Sequence, residues 1–434
     1  MKFVLVTGLA ATALIGVGIA LGPHDQRESV HTATPGDPAA ASVNDLDRYV
    51  TRTVAHLTRT PGDWQAWAQL GMAQLELARR SSDPARYADA ETALRRSLKV
   101  QPQDNAAALT GLGALAAARH EFTTALSYAR RAVTVDAYSA DAFGVLTDAC
   151  VELGRYDEAT DAVQRMLDLR PDTGSYARAS YLFELRGDQA RAVDLMQQAL
   201  AVAATAGDTT FALTHLGELA FNTGDLTTAA EYFHRGLART PGQPALLAWQ
   251  ARVQAARGDL PAAVAALRTV TLTLPTVDHL AALSDTLTAA GDPGGAERTD
   301  ELVRASTRLP AGSSGTTDID LVLFYADRGQ ASQAVTRAAA LYATRPSVAV
   351  ESAYAWALHA AGRDREALTH AERSLRLGTR DARAHYYRGQ IRLTLGDRAG
   401  ARADLHQALA INPHFSLRYA PHARAALDRL KDAA

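Results

Sequence analysis

Residues 151–171 read VELGRYDEATDAVQRMLDLRP. Gly154 stands between two helical-looking runs, Ala159 follows five residues later, and Pro171 closes the second run. The same marks recur along the chain. Gly154, Gly187, Gly224, Gly258, Gly291, Gly329, Gly362 and Gly396 are spaced by 33, 37, 34, 33, 38, 33 and 34 residues. Each has an alanine five positions on: Ala159, Ala192, Ala229, Ala263, Ala296, Ala334, Ala367 and Ala401. Extended backwards, the register puts His120 in the glycine's place with Ala125 behind it, and Ala90 one unit earlier. Pro102, Pro171, Pro241, Pro275, Pro346 and Pro413 each lie twelve residues beyond their alanine, while Ala137 and Thr379 replace the proline. An apolar run precedes the glycine, as in Leu109-x-x-Leu112-Gly113 and Leu213-x-x-Leu216-Gly217.

Each mark has a physical reason. Glycine adopts the left-handed conformation that ends a helix at little steric cost. The aspartate that often follows it, as at Asp188, Asp225, Asp259 and Asp397, suits the turn and the start of the next helix. The alanine marks the closest approach of two antiparallel helices. Proline cannot continue a helix and so starts the link to the next unit. Each unit is then a helical hairpin, which cannot bury its own apolar stripe and must stack on its neighbours.

A period near 34 with this pattern resembles the tetratricopeptide repeat, over roughly residues 61–413 in about ten units. The resemblance implies an all-α solenoid of antiparallel helix hairpins wound into a right-handed superhelix. The first unit carries an insertion near LARRSSDPAR (77–86). Residues 44–59 read as a lone second helix capping the amino-terminal end, with Leu46, Val50, Val54 and Leu57 on one face; residues 416–431 would cap the other. The Gly/Ser-rich stretch 308–317, RLPAGSSGTT, lengthens one period to 38 and reads as a loop or hinge between arrays at 43–307 and 318–434.

The chain has 434 residues, 47% hydrophobic and 21% charged, which is a folded rather than a disordered composition. A net charge of −2 leaves no electrostatic footprint for nucleic acid. Cys150 is the only cysteine, so there is no internal disulfide and no cysteine-rich metal site. Residues 3–22, FVLVTGLAATALIGVGIALG, carry no charge behind Lys2. As a helix they would rise roughly 30 Å, enough to cross a bilayer's hydrocarbon core. They read either as a membrane anchor or as a signal peptide cut after small residues, with an exported body in both cases. Residues 23–42 lack periodicity and read as a flexible tether.

No catalytic constellation is present: no GxxxxGK[ST], no HExxH, no GxSxG, and no lysine between 100 and 430 to hold a phosphate. The closest histidine pairs, His24/His31, His359/His370 and His414/His422, lack metal-ligand spacing. Cys150 falls where an inward-facing small residue is expected, which makes it a buried structural thiol. The repeats leave no stretch large enough for a catalytic domain, and no cofactor or metal is expected.

The resemblance implies a protein-interaction scaffold whose first helices line a concave groove for a peptide. Some family members clamp a partner's carboxyl terminus with basic residues and asparagines on those helices; that set is missing here. The third to fifth repeats instead offer acids among aromatics: Asp141, Asp148, Tyr181, Glu184, Phe211, Glu218 and Phe221, with Arg252 beyond them. This pattern points to a basic or mixed basic–apolar segment of an envelope or secreted protein. Two other classes remain open: an accessory subunit in the assembly or export of a cell-envelope polymer, and an enzyme of unrecognised type.

Overall fold

The structure, a computed structural model, describes residues 43–81, 83, 85–306 and 319–432. The expected signal or anchor (1–22), the tether (23–42) and the 308–317 loop lie outside these residues. The chain is an all-α helical repeat solenoid, with twenty-two helices and no strand among the described residues.

The repeat marks carry the geometry assigned to them. All eight register glycines have positive φ, between 69° and 86°. His120 stands in for a glycine and takes the same left-handed conformation, at φ 60°. At the quoted stretch, Gly154 N donates to Val151 O at 3.0 Å and Arg155 N to Cys150 O at 2.8 Å. These bonds satisfy carbonyls that a helix end leaves open. The next helix is capped where aspartate follows the glycine. Asp225, Asp259 and Asp397 accept from the backbone N–H of Thr228, Ala262 and Gly400 at 3.0, 3.2 and 2.9 Å. The register alanines are fully buried, apart from Ala296 at 6% exposure. Only a methyl group fits between the two helices of each hairpin.

The described chain divides into two compact units. One comprises residues 43–179 with 201–208, the other 180–200 with 209–432, and the division falls inside the helix Thr173–Leu185. In the first unit, helices pack as successive hairpins from Val43–Arg59 onward. Leu46, Val50 and Leu57 of that first helix join Ala66, Leu70, Ala73 and Leu77 in one core cluster. Val54, which its spacing had placed with them, is 47% exposed, and Thr53 is buried in its stead. The reason is geometric. Leu46 and Leu57 lie eleven positions apart, about three turns of a 3.6-residue helix, and the stripe between them passes through positions 50 and 53. The insertion near residue 80 lengthens the helix Trp64–Ser81 to 18 residues, against 13 in Ala106–Ala118.

In the second unit the long 37-residue period is explained by the helix Ala206–Asn222, which has 17 residues. This unit also meets itself across a long sequence separation. Thr379, the residue that replaces a closing proline, donates its hydroxyl to Leu185 O at 2.5 Å. Asn412 is buried and donates its amide to Phe221 O at 2.7 Å. Gly187 and Gly378 are packed so closely that a Cβ on Gly187 would strike Gly378 O. The links after two late hairpins thus sit on the glycine turns of two early ones. Gly187→Ala is expected to cost about 2 kcal/mol or more, because it adds both left-handed strain and this backbone clash. Urea unfolding followed by circular dichroism would measure it. Gly258→Ala, whose Cβ meets open space, should show the conformational strain alone.

Candidate functional site

The residues proposed for the groove lie on successive first helices, but most are not free. In the first unit, Asp148 accepts from Arg178 Nε at 2.9 Å and Nη2 at 2.8 Å, a bidentate pair in which both side chains are below 10% exposure. Arg178 also donates to Gly174 O at 3.1 Å. Burial opposes the charge on Arg178, but the adjacent Asp148 carboxylate outweighs it and holds the guanidinium above its ordinary value. Asp141 pairs with Arg170, which also reaches Asp172 at 2.6 Å. Asp148 therefore ties one hairpin to the next, and Asp141 ties the start of a first helix to the link that follows its own hairpin.

In the second unit, Phe221 is a core residue. It is 8% exposed and clusters with Ala229, Phe233, Leu246 and Val253, with its ring edge against Trp249 at 5.5 Å. Its apolar side chain belongs to the hairpin interface, which corrects the groove placement. Arg252 donates to both oxygens of Asp278 at 2.6 Å and lies over the Trp249 ring at 4.6 Å. Asp285 accepts from Arg328 at 3.0 Å and from Arg418 at 2.8 Å.

Glu184 and Glu218 differ from these acids. Neither has an arginine or lysine partner among the described residues. Glu184 accepts only a long 3.4 Å bond from Asn222 Nδ2. Glu218 is bonded to His215 at 2.9 Å, and the His215 ring meets Phe211 edge-on at 4.3 Å. All these side chains are half-buried apart from Asn222, which is exposed; Tyr181, half-buried as well, lies one helical turn before Glu184. Burial, reinforced by the Glu218 carboxylate, pushes the Glu184 carboxyl up to about 7. Burial alone would lower His215, but the charge and hydrogen bond of Glu218 outweigh it, and the net direction is up. The site therefore holds two carboxylates and one imidazole, with aromatic rings alongside and no arginine or lysine among the described residues. It can accept a cationic side chain, whose charge would relieve the repulsion between Glu184 and Glu218.

Sequence spacing put Tyr181, Glu184, Phe211 and Glu218 on neighbouring first helices; the structure brings Glu184, Phe211 and Glu218 around His215, which spacing missed along with Asn222 and the arginine partners. The missed signal was in the numbering. Asp141–Arg170, Asp148–Arg178, Arg252–Asp278 and Asp300–Arg328 are separated by 29, 30, 26 and 28 residues, a little under one repeat. Opposite charges recurring at that separation join a helix to the next hairpin or, for Asp141–Arg170, to the link that leads to it.

Cys150 is fully buried, and burial pushes its thiol up to about 11, so it is not a reactive thiolate. No group of three His, Cys, Asp or Glu side chains is arranged for a metal ion among the described residues. No helix among the described residues is long and apolar enough to cross a membrane.

Residues 75–142 and 214–272 match one tetratricopeptide repeat family, and residues 382–415 match a second of the same description. No curated protein matches the chain. Among solved structures the chain is similar to PilW, a widely conserved type IV pilus biogenesis factor. Identity there is 18% over 48% of this chain and 95% of that one, with a TM-score of 0.41. It is similar to the Cut9–Hcn1 hetero-tetramer of the APC/C at 14% identity, covering 90% of this chain and 97% of that one, with a TM-score of 0.37. It is also similar to YrrB, a TPR protein with an unusual peptide-binding site, at 19% identity over 44% of this chain and 95% of that one, with a TM-score of 0.32.

Proposed function

Because this chain is a tetratricopeptide repeat protein, we propose that it works as a non-enzymatic interaction scaffold for a basic, apolar-flanked segment of a protein partner. The repeat fold supports a protein–protein interaction scaffold, and repeats of this kind are generally non-catalytic. One observation carries the choice of partner. Among the described residues, Asp141, Asp148, Asp278 and Asp285 each have an arginine partner, whereas Glu184 and Glu218 have none. An arginine or lysine of the partner would complete them, while Tyr181 and Phe211 would take its apolar neighbours. The proposal includes an exported location, supported by the uncharged run 3–22 behind Lys2. In that setting the partner is an envelope or secreted protein.

Fluorescence titration with matched arginine-bearing and glutamate-bearing peptides tests the groove. The arginine peptide should bind at least ~10-fold more tightly, a difference of about 1.4 kcal/mol. Glu184→Lys with Glu218→Lys should abolish that preference. Equal affinity of the intact protein for the two peptides would overturn the reading. Fractionation of cells expressing the full chain tests the location, and recovery from the cytosol would refute it.

A further inference from the structure

Among the described residues, the first helices of the second unit carry four arginines: Arg252, Arg383, Arg388 and Arg392. Three are committed. Arg252 donates to Asp278 at 2.6 Å, and Arg388 and Arg392 both donate to Asp404, at 2.9 and 2.8 Å. Arg383, near the start of the helix Ala382–Thr394, is exposed, and its guanidinium has no hydrogen bond or ion pair among the described residues. The acids around it are already engaged. Asp381 caps the helix, accepting from the backbone N–H of Arg383 and Ala384 at 2.8 and 3.1 Å. Asp278 holds Arg252, and Asp327 accepts from the Trp356 indole at 2.7 Å and from the Tyr419 hydroxyl. These three acids come from different first helices or their caps, and each acts on the Arg383 charge, which surrounding protein opposes. A side chain open to water yet desolvated by protein stands in a concavity.

Arg383 is also tied to the anionic site. The link leading into its helix is seated on the end of the helix that carries Glu184. Thr379 donates to Leu185 O at 2.5 Å, and Arg380 Cγ would lie 3.2 Å from a Cβ on Gly187. The Asp381 carboxylate adds to the upward push on Glu184 and favours the charge on Arg383. One acid is thus within electrostatic reach of both, while Glu184 and Arg383 make no bond to each other. Unpaired charges of both signs flank the seam between 185–187 and 378–381. A purely basic segment would leave Arg383 unmet and add like charge beside it. We propose that Arg383 takes a carboxylate side chain of the partner segment, so that the segment recognised pairs a basic residue for Glu184 and Glu218 with an acidic residue for Arg383. The basic residue rests on the proposed function, and the acidic one on the surroundings of Arg383. Guanidinium and carboxylate form charge-assisted bonds of defined geometry. The seam fixes the separation of the two contacts, so the segment is read by the spacing of its charges as well as their sign.

The test is fluorescence titration of the full chain with apolar-flanked peptides. Each holds one arginine fixed and carries one glutamate, stepped through the neighbouring positions, and each is matched by a version with glutamine for that glutamate. At one spacing, or two adjacent ones, glutamate should tighten binding at least ~10-fold over glutamine. Arg383→Gln leaves no side-chain partner unmet, and circular dichroism checks that it folds. The variant should erase the gain and leave affinity for the glutamine versions unchanged. Equal weakening of both versions would overturn the inference, because it would give Arg383 a structural role. No gain from glutamate at any position in the intact chain, a comparison that needs no variant, would also overturn it. The proposed function would still stand if replacing the peptide's arginine by glutamine weakens binding. The opposite result, a glutamate gain that depends on Arg383 with no contribution from the arginine, would uphold the carboxylate site and remove the proposed function.

Discussion

Asp148→Ala should destabilise the first unit by about 3–5 kcal/mol, the cost of leaving Arg178 buried and charged without its partner. The side chains of this pair are 9% and 4% exposed, so water cannot replace the lost carboxylate. Arg178 would keep its bond to Gly174 O, but both ends of its fork toward Asp148 would be unmet. A loss of that size should lower the unit's thermal midpoint by roughly 10 °C, taking 2–4 °C per kcal/mol for a domain of this length. Adding Arg178→Met to Asp148→Ala should recover most of the loss, because an apolar side chain of similar volume has no desolvation cost to offset. Urea unfolding of the two single variants and the double variant closes a thermodynamic cycle. A single-variant cost below about 1 kcal/mol would mean that the pair is solvated and the argument is wrong. Charge reversal at this position does not report binding. Asp148→Lys would place two cations in a buried site, so lost partner binding in that variant would report unfolding.

That exchange of roles marks the boundary of what the sequence makes legible. Backbone events are local and discrete, and they could be read. Each register glycine marks a positive φ, and even His120, a departure from glycine, adopts the left-handed conformation its register requires. The register alanines are buried because two helices cannot pack closely around anything larger. Side-chain partnerships are less legible. Helical spacing places Asp148 and Glu218 on the same kind of face, but it does not say that Arg178 reaches the first and that no arginine among the described residues reaches the second. Phe221 lies one residue from Asn222, yet its ring turns into the hairpin interface with Phe233 and Leu246. On a 3.6-residue helix one position is a rotation of about 100°, so an error of one residue moves a side chain from groove to core. The contacts made by Thr379 and Asn412 cross 194 and 191 residues, and no local pattern encodes them. Thr379 was visible only as a missing proline.

Glu184→Gln should stabilise the second unit at pH 8, leave it unchanged at pH 5, and weaken binding of an arginine peptide at pH 8 alone. In the folded protein the Glu184 carboxyl titrates at about 7, against an ordinary 4.5. Between those values the folded state binds the proton that the unfolded chain has released, so stability falls as pH rises. The contribution is full below about 4.5 and is lost as pH passes through 7. His215, also shifted upward, acts in the same direction: its stabilisation is present below its ordinary 6.5 and disappears above the folded value. The full difference for Glu184 corresponds to about 3 kcal/mol, and partial exposure reduces it to about 1–2 kcal/mol. Glutamine keeps the acceptor for Asn222 and removes the charge that Glu218 repels, so the variant should not follow the wild-type decline. Binding should respond with the opposite sign. At pH 8 the wild-type carboxylate attracts a guanidinium and the glutamine does not; at pH 5 the wild-type group is already protonated and the two proteins should bind alike. Denaturant midpoints and peptide affinities at both pH values give four comparisons. Parallel stability profiles for the two proteins would show that Glu184 titrates normally. A stability gain at pH 8 with no loss of binding would show that its charge is a cost to the fold with no use in the groove. The expected combination, a carboxylate that destabilises its own unit while holding the partner, is the signature of a side chain placed for binding rather than for folding.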